Sequence, residues 1–252
     1  MHSQFFPNIR LYRTVESTQH LAKQMLKQWI ITENTALVAK RQTAGIGRRG
    51  SKWVSSPGGL WCSLVILEPD LTDNAAITIW AGNLVHRTIL NFFPAAPLSI
   101  KWPNDVFYSD KKVAGILVTQ GNYNSPHKNQ PAVIIGIGIN INQKKFPPEI
   151  SEVATSIRIE TSKRTKIGKL LHVLLTEFGK SYPLYASKKL SMFIDYFNTY
   201  DYLRSRLIRI SHNKREYIGR ASGISDSGSL IVQLSDNTIR EFVSVDKIDI
   251  LH

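Results

Sequence analysis

The sequence lacks the features that would place the protein in a membrane or cross-link it. It contains one cysteine, Cys62, so no disulfide can form within the chain. Its longest apolar stretches, such as Leu60–Leu67 and Ala132–Ile141, are far shorter than the ~20 residues that a membrane-spanning helix requires. No charged and then apolar leader precedes Ile9. We therefore expect a cytoplasmic globular protein with no membrane association.

Ligands for a zinc ion are also scarce. The seven histidines show no paired spacing on a helix, and Cys62 has no second cysteine with which to share a metal. Because zinc in proteins takes clustered thiolate, imidazole or carboxylate ligands, the sequence argues against a zinc site.

Positive charge is abundant, with a formal net charge of +13 at pH 7. Clustered lysines and arginines can neutralise nucleic-acid phosphates. Between Lys163 and Arg220, however, acidic residues interrupt the basic ones, and no helix-turn-helix or aromatic-basic pattern accompanies them. We therefore favour a solvated basic surface over nucleic-acid binding, and an acidic protein partner fits that surface equally well.

Apolar periodicity predicts an α+β fold. Helical spacing predicts helices over Ser17–Ile30, over Ile77–Phe93 and from Ser162 onward. Short apolar runs between turn residues predict strands at Thr35–Lys40, Leu60–Leu67, Leu98–Trp102, Val106–Ser109, Val113–Thr119 and Ala132–Ile141. Together these elements predict a mostly antiparallel sheet flanked by helices, which we expect on one side of the sheet.

The end of the chain has a different pattern. Short strands separated by polar turns are predicted at Leu207–Ile210, Glu216–Ile224, Ser229–Leu234 and Ile239–Val243. This spacing predicts a small β-barrel. We therefore divide the chain into a larger domain, residues 1–198, and a small C-terminal β domain, residues 199–252.

The segment Gly45–Gly50 matches the pattern G-x-G-x-x-G. A dinucleotide-binding fold would open a helix at the last glycine, but Pro57-Gly58-Gly59 leaves too little room for one. A protein kinase would also need H-R-D and D-F-G motifs, and neither is present. What remains is a loop with two arginines and accessible backbone N–H groups, suited to an anionic ligand, or else a disordered surface loop.

Three further segments carry polar residues at the ends of predicted strands. They are Lys101-Trp102-Pro103-Asn104-Asp105, Lys112-Val113-Ala114-Gly115-Ile116-Leu117 and Gly136-Ile137-Gly138-Ile139-Asn140-Ile141-Asn142. With the glycine-arginine loop before them, in this order, they resemble the catalytic domain of biotin protein ligases. Glu16-Ser17-Thr18 is similar to a further element of that family, and Gly219–Ile224 to a strand of its small C-terminal domain.

The resemblance implies a catalytic domain like that of class II aminoacyl-tRNA synthetases, followed by an SH3-like barrel. It also implies an ATP-dependent ligase that converts biotin to biotinyl-5'-AMP and transfers biotin to a lysine of a biotin carboxyl carrier protein. ATP, Mg²⁺ and biotin are the implied small molecules, and a homodimer is possible within this family. Too few residues precede Ser17 for the winged helix of some members, so we expect a monofunctional enzyme without repressor activity.

The resemblance also assigns roles to individual residues. Lys112 and Arg48 are the expected catalytic residues, flanking the junction of the biotin carboxylate and the ATP α-phosphate. The expected biotin contacts are Ser17, Thr18, Gln42, Gly45, Ile46, Gly47 and Gly115. The expected contacts to ATP or the adenylate are Arg48, Arg49, Trp53, Lys101, Asn104, Asp105 and Asn140, with Asp105 also the expected magnesium ligand.

Three positions depart from the family pattern. Gln19 stands where asparagine is usual, Ile46 where arginine is usual, and Ser51 where a basic residue is frequent. Lower affinity for biotin or looser retention of the adenylate follows as an expectation. A lipoate or octanoate attachment enzyme and a nonenzymatic nucleic-acid-binding module are the alternative functions.

Overall fold

The computed structural model describes residues 5–67, 73–125 and 128–251, and gives the backbone alone at 121–125 and 128–130. Within these residues, seven strands form one sheet in the order β1-β2-β3-β7-β6-β5-β4. The strands are β1 Asn8–Tyr12, β2 Thr35–Ala39, β3 Leu60–Ile66, β4 Leu98–Lys101, β5 Asp105–Tyr108, β6 Lys111–Ser125 and β7 Lys128–Ile139. The pair β1 and β2 is parallel, and the other neighbouring strands of this sheet are antiparallel. The predicted mostly antiparallel sheet is therefore confirmed.

Helices cover both faces of this sheet. They are α1 Thr18–Lys27, α2 Asn74–Phe92, α3 Ile157–Thr161, α4 Ile167–Ala186 and α5 Ser191–Thr199. Val38 of β2 shares a core with Trp80 of α2 and Leu174 of α4. The preceding residue, Leu37, has its side chain on the opposite face of the sheet and shares a core with Leu26 of α1.

The expectation that all helices lie on one side is therefore wrong. All seven residues of β3 are buried, so its sequence carries no polar face that would mark a solvent side of the sheet. An amphipathic helix pattern shows that a helix has an apolar face. It does not show which face of a doubly covered sheet receives it.

A second sheet follows α5. Within the described residues it has five antiparallel strands in the order β11-β10-β9-β8-β12. These strands are β8 Leu207–His212, β9 Arg215–Ile224, β10 Leu230–Leu234, β11 Ile239–Phe242 and β12 Lys247–Ile250. The arrangement agrees with the small all-β unit that the sequence predicts.

The C-terminal sheet shares its core with the end of the first sheet. Ile208 and Val232 pack in one cluster with Phe197 of α5 and with Ile100 and Trp102. The Trp102 indole Nε1 donates a hydrogen bond to the carbonyl of Gly228 at 2.9 Å. The Trp102–Pro103 peptide bond is cis. Since α5 contributes to this core from before residue 199, the domain boundary at 198/199 stays a prediction.

None of the described helices is long and apolar enough to cross a membrane.

Candidate active site

A cavity of about 400 Å³ lies over strands β3, β6 and β7. Its floor contains three glycines, Gly115, Gly136 and Gly138, on the two longest strands. A Cβ placed on Gly138 would come within 2.6 Å of the Trp53 indole, and one on Gly115 within 3.0 Å of it. Only glycine therefore lets the indole lie this close to the strands.

One end of the cavity is neutral and polar. The Thr18 backbone N–H and hydroxyl both donate to Gln42 Oε1, at 2.7 and 3.1 Å. The Ser63 hydroxyl lies 2.9 Å from Thr18 Oγ1 and 3.0 Å from Gln19 Oε1. Because Ser63, Thr18 and Gln19 are almost fully buried, this network fixes the orientation of each hydroxyl and amide. Ser17 lines the same end, and its hydroxyl also caps α1.

The other end of the cavity is cationic. Lys112 Nζ lies 2.6 Å from Asp105 Oδ1 and 5.0 Å from the centre of the Trp53 ring. Arg48 Nη1 donates to Asn104 Oδ1 at 3.2 Å. Lys112 and Arg48 thus both line this end of the cavity, one from β6 and one from the glycine-arginine loop.

Burial lowers the pKa of Arg48, with the neighbouring Arg49 lowering it further and Asp105 opposing both. The fold therefore holds a cation where desolvation disfavours charge. An anion bound at this end would relieve that penalty.

The glycine-arginine loop is folded onto itself. The Gly47 N–H donates to the carbonyl of Ser51 at 2.7 Å, and the Trp53 N–H donates to that of Gly45 at 2.8 Å. Ile46 and Lys52 form a β-bridge between these two bonds. The alternative of a disordered surface loop does not describe this segment.

Most residues that the sequence assigns to the site meet at this cavity. Its lining includes Ser17, Thr18, Gln42, Ile46, Gly47, Arg48, Trp53, Asn104, Asp105, Lys112, Gly115 and Asn140. Twelve of the fifteen residues proposed from the sequence therefore lie together, although their ligand contacts remain predictions.

The other three lie outside the lining. Gly45 is buried behind the loop, where a Cβ would meet the Trp53 carbonyl at 2.5 Å. Arg49 points to the C-terminal sheet and pairs with Asp246 at 3.0 Å. Lys101 lies over the Phe107 ring at 5.3 Å, and burial lowers its pKa, with Asp105 opposing the shift.

One wall of the cavity was not predicted from the sequence. Phe146, Ile150, Val153 and Ala154 form it, from the segment that follows β7. The Lys112 N–H donates to the carbonyl of Val153 at 2.8 Å, which holds this segment against β6. Gln19, Lys52, Cys62 and Ser63 also line the cavity without having been proposed as ligand contacts.

Acidic ligands for a metal are few at this site. The described residues contain no group of three or more histidine, cysteine, aspartate or glutamate side chains that could hold a metal ion. Among the residues that the structure describes, Asp105 is the single carboxylate in the lining, and Asn140 Oδ1 is a buried acceptor without a partner. This donor set fits a magnesium ion that takes its remaining ligands from phosphates and water.

Cys62 is expected to resist thiol reagents in the folded protein. It is 1% exposed beneath the cavity, and burial raises the pKa of its thiol to about 12. Because the thiolate is the reactive species, alkylation at pH 8 should be negligible until denaturant is added, when one thiol per chain reacts. Quantitative thiol titration with and without denaturant checks this, and rapid native-state reaction would show that the floor of the cavity opens.

Comparison with known proteins agrees with this geometry. Residues 11–140 match the model of the biotin/lipoate A/B protein ligase family. The chain is 33% identical over 238 residues to the bifunctional ligase/repressor BirA of Bacillus spizizenii, covering 92% of this chain and 71% of that protein. It is 26% identical over 219 residues to the biotin–[acetyl-CoA-carboxylase] ligase of Mycobacterium tuberculosis, covering 82% of this chain and 76% of that one.

Among solved structures, biotin protein ligase from Aquifex aeolicus in complex with biotin and ATP superposes with a TM-score of 0.85 at 28% identity. The match covers 98% of this chain and 99% of the Aquifex chain, so it includes the C-terminal sheet. The family model covers more than half of the sequence, and the similarity to BirA extends over most of both chains. This chain belongs to the biotin/lipoate A/B protein ligase family.

Proposed function

We propose that this protein is a biotin protein ligase, which activates biotin with ATP and attaches it to a lysine of a biotin carboxyl carrier protein. The observation that supports this proposal is the distribution of neutral and charged groups in the cavity. A buried neutral network around Thr18 and Gln42 lies at one end, and the cations Lys112 and Arg48 lie at the other. Such a cavity suits a ligand with a neutral polar ring at one end and a carboxylate at the other.

The neutral end would take the ureido ring of biotin. The hydroxyls and amides of Ser17, Thr18 and Gln42 offer both donors and acceptors, as a planar urea group requires. Gly115 and the backbone of Ile46 and Gly47 would lie along the rest of the molecule. The biotin carboxylate would then extend toward Lys112.

At the cationic end, the biotin carboxylate attacks the α-phosphorus of ATP and pyrophosphate leaves. Negative charge accumulates on the oxygens around that phosphorus, and Lys112 and Arg48 would neutralise it from two sides. In the second step, the amine of the acceptor lysine attacks the biotinyl carbonyl, AMP leaves, and the amine gives up a proton as the amide forms. No covalent enzyme intermediate is required, so positioning and electrostatics supply the catalysis.

Nucleotide contacts would come from the residues around Trp53. Its indole is the proposed partner of the adenine ring, with Asn104 and Asn140 making polar contacts to the nucleotide. Arg49 and Lys101, the other two nucleotide contacts expected from the sequence, lie outside the lining of the cavity. When bound with ATP, magnesium would add positive charge at the phosphate oxygens, and Asp105 is the side chain that would hold it.

Exclusion of water is the other requirement, because a mixed anhydride hydrolyses readily. The loop that carries Ile46 and Arg48 and the wall around Phe146 both border the cavity. Their approach over the adenylate would retain it until the acceptor arrives.

The proposed acceptor is a subunit of a carboxylase in the cytoplasm. The protein would act there as a monofunctional ligase, without repressor activity.

ATP–pyrophosphate exchange tests this function. Isotope exchange should require biotin and should not occur with lipoate or octanoate in its place. Exchange that depends on lipoate would instead identify a lipoate attachment enzyme. Absence of exchange, together with salt-sensitive binding to any DNA duplex, would favour the nucleic-acid-binding alternative.

Ile46→Arg is expected to slow release of the adenylate. Ile46 lines the cavity two residues before Arg48, so a guanidinium at this position would add a cation near the phosphate or carboxylate of the intermediate. Single-turnover release of labelled adenylate, without acceptor, measures the effect. The variant Ile46→Gln is the control for a polar side chain without the charge. Equal release rates for wild type and Ile46→Arg would contradict the prediction.

A further inference from the structure

Adjacent arginines of the glycine-arginine loop point to different parts of the molecule. Arg48 reaches into the cavity toward Asn104, whereas Arg49 reaches the C-terminal sheet. Arg49 Nη1 donates to the backbone carbonyl of Asp246 at 2.8 Å, and Nη2 donates to that of Val245 at 2.7 Å. Nη1 also lies 3.0 Å from Asp246 Oδ1. The planar guanidinium thus engages three acceptors at once.

The groups that accept these hydrogen bonds from Arg49 are themselves held in place. The Asp246 N–H donates to the carbonyl of Ser211 at 2.8 Å, and Asp246 Oδ2 accepts from the Asn213 N–H at 3.0 Å. Val245 is 5% exposed and belongs to the C-terminal core. Arg49 is therefore attached to the connection between β11 and β12, whose backbone is held by the buried Val245 and by the bonds of Asp246 to Ser211 and Asn213.

The backbone of Arg49 indicates that the contact holds the loop in a particular shape. Arg49 has φ 55° and ψ 27°, in the left-handed region that residues with a Cβ adopt at a cost. A glycine would adopt it freely, yet the chain has arginine here, followed by Gly50 at φ 75°. The turn at Arg49 sends its side chain away from the cavity while the residue before it faces Asn104.

From these contacts we infer that Arg49 and Asp246 are positioning residues, through which the C-terminal sheet holds the Arg48 loop in its nucleotide-binding shape. The inference rests on the proposed function, because it makes ATP the ligand of that loop. Freeing Arg49 would remove the contact of the loop with the C-terminal unit. The loop would stay anchored at its two ends, by the Ala44 N–H on the carbonyl of Glu16 and by the packed Trp53 indole, and its tip would be held by its own backbone bonds and by Arg48 on Asn104. ATP binding would then include the entropic cost of ordering the loop.

Substitution of Asp246 distinguishes a positioning role of Arg49 from direct contact of Arg49 with ATP. If Arg49 bound phosphate itself, removing its competing carboxylate partner would leave ATP affinity unchanged or raise it. If Arg49 acts as a tether, removing that carboxylate lowers ATP affinity, although Asp246 does not line the cavity.

The experiment compares the full-length wild type with Asp246→Ala, Arg49→Gly and the double variant. Glu216→Ala is the matched control, since it breaks another exposed ion pair of the C-terminal sheet, with Arg209. Calorimetry measures the Kd of ATP and of biotin separately. Limited trypsin digestion, mapped by mass spectrometry, measures the cleavage rate after Lys52 in the loop and needs no activity. Thermal unfolding records the stability of each variant.

We expect Asp246→Ala to raise the Kd of ATP about threefold to fivefold, as loss of one exposed ion pair allows. Arg49→Gly, which also removes two charged hydrogen bonds, should raise it about tenfold or more, and the double variant no further. Loop cleavage should quicken in the same order, and the Glu216→Ala control should stay at wild-type values. The Kd of biotin should change less than that of ATP, because Ser17, Thr18 and Gln42 at the neutral end of the cavity lie outside the loop.

Two results would overturn the positioning role of Arg49 and Asp246. One is that Asp246→Ala binds ATP with the Kd of the wild type and is cleaved in the loop at the rate of the wild type, and differs at most by a lower melting temperature. The other is weakened ATP binding in Arg49→Gly alone, which would make Arg49 a direct ligand. Failure of the proposed function would look different: the wild type would not bind biotin or catalyse exchange, and the trypsin comparison would still decide whether Asp246 holds the loop.

Discussion

Lys112→Ala should reduce biotin-dependent ATP–pyrophosphate exchange by about 10²–10³-fold, the value typical for loss of one well-placed electrostatic group. Lys112 Nζ is held between Asp105 at 2.6 Å and the Trp53 ring at 5.0 Å. The variant removes the cation that faces the reacting carboxylate and also leaves Asp105 unpaired. Although Arg48 and Lys101 still lie near Asp105, its carboxylate would be less well neutralised and would repel the biotin carboxylate, so two effects act in the same direction.

The neighbouring lysine provides the control for this variant. Lys111 is the preceding residue of β6, and its Nζ donates to the backbone carbonyl of Ser151, which does not line the cavity. Exchange by Lys111→Ala should stay within about twofold of wild type, as is usual for surface substitutions. Equal loss in the two variants would show that lysine removal disturbs β6, and full activity in Lys112→Ala would remove Lys112 from the mechanism.

Elements with local sequence signals were predicted, and elements defined by distant contacts were not. The helix after Ser17 has a cap and an apolar stripe, and it forms as α1. Strand β1 went unrecognised because Asn8–Tyr12 mixes polar and apolar residues on a partly exposed sheet edge. Its pairing with β2 is parallel and joins residues far apart in the sequence, so no local pattern reports it.

The same distinction holds for the candidate site. The segments around Arg48, Asp105 and Lys112 could be recognised because each combines charge with glycine or proline in a short stretch. The wall around Val153 could not, since it becomes part of the site through a backbone hydrogen bond to Lys112. The direction of Arg49 depends on its left-handed backbone and on Asp246, and neither is visible in the loop's own sequence.

Arg48→Ala should lower exchange by about 10²-fold while leaving the unliganded protein as stable as wild type or more so. Burial lowers the pKa of Arg48, which means that the folded state disfavours its charged form relative to the unfolded chain. Removing the guanidinium relieves that penalty and loses one hydrogen bond, to Asn104. Asn104 still donates to the carbonyl of Ile116 at 2.8 Å, so the turn that carries it remains in place.

Exchange kinetics and thermal unfolding together test whether Arg48→Ala loses activity without losing stability. Arg41→Ala is the matched control, because Arg41 is an exposed arginine outside the cavity, on the segment that leads to the same loop. In the wild type, ATP should raise the melting temperature more than it does in Arg48→Ala, since only the wild type gains relief of a buried charge on binding. A clearly lower melting temperature for unliganded Arg48→Ala than for the unliganded wild type would instead make Arg48 a structural residue.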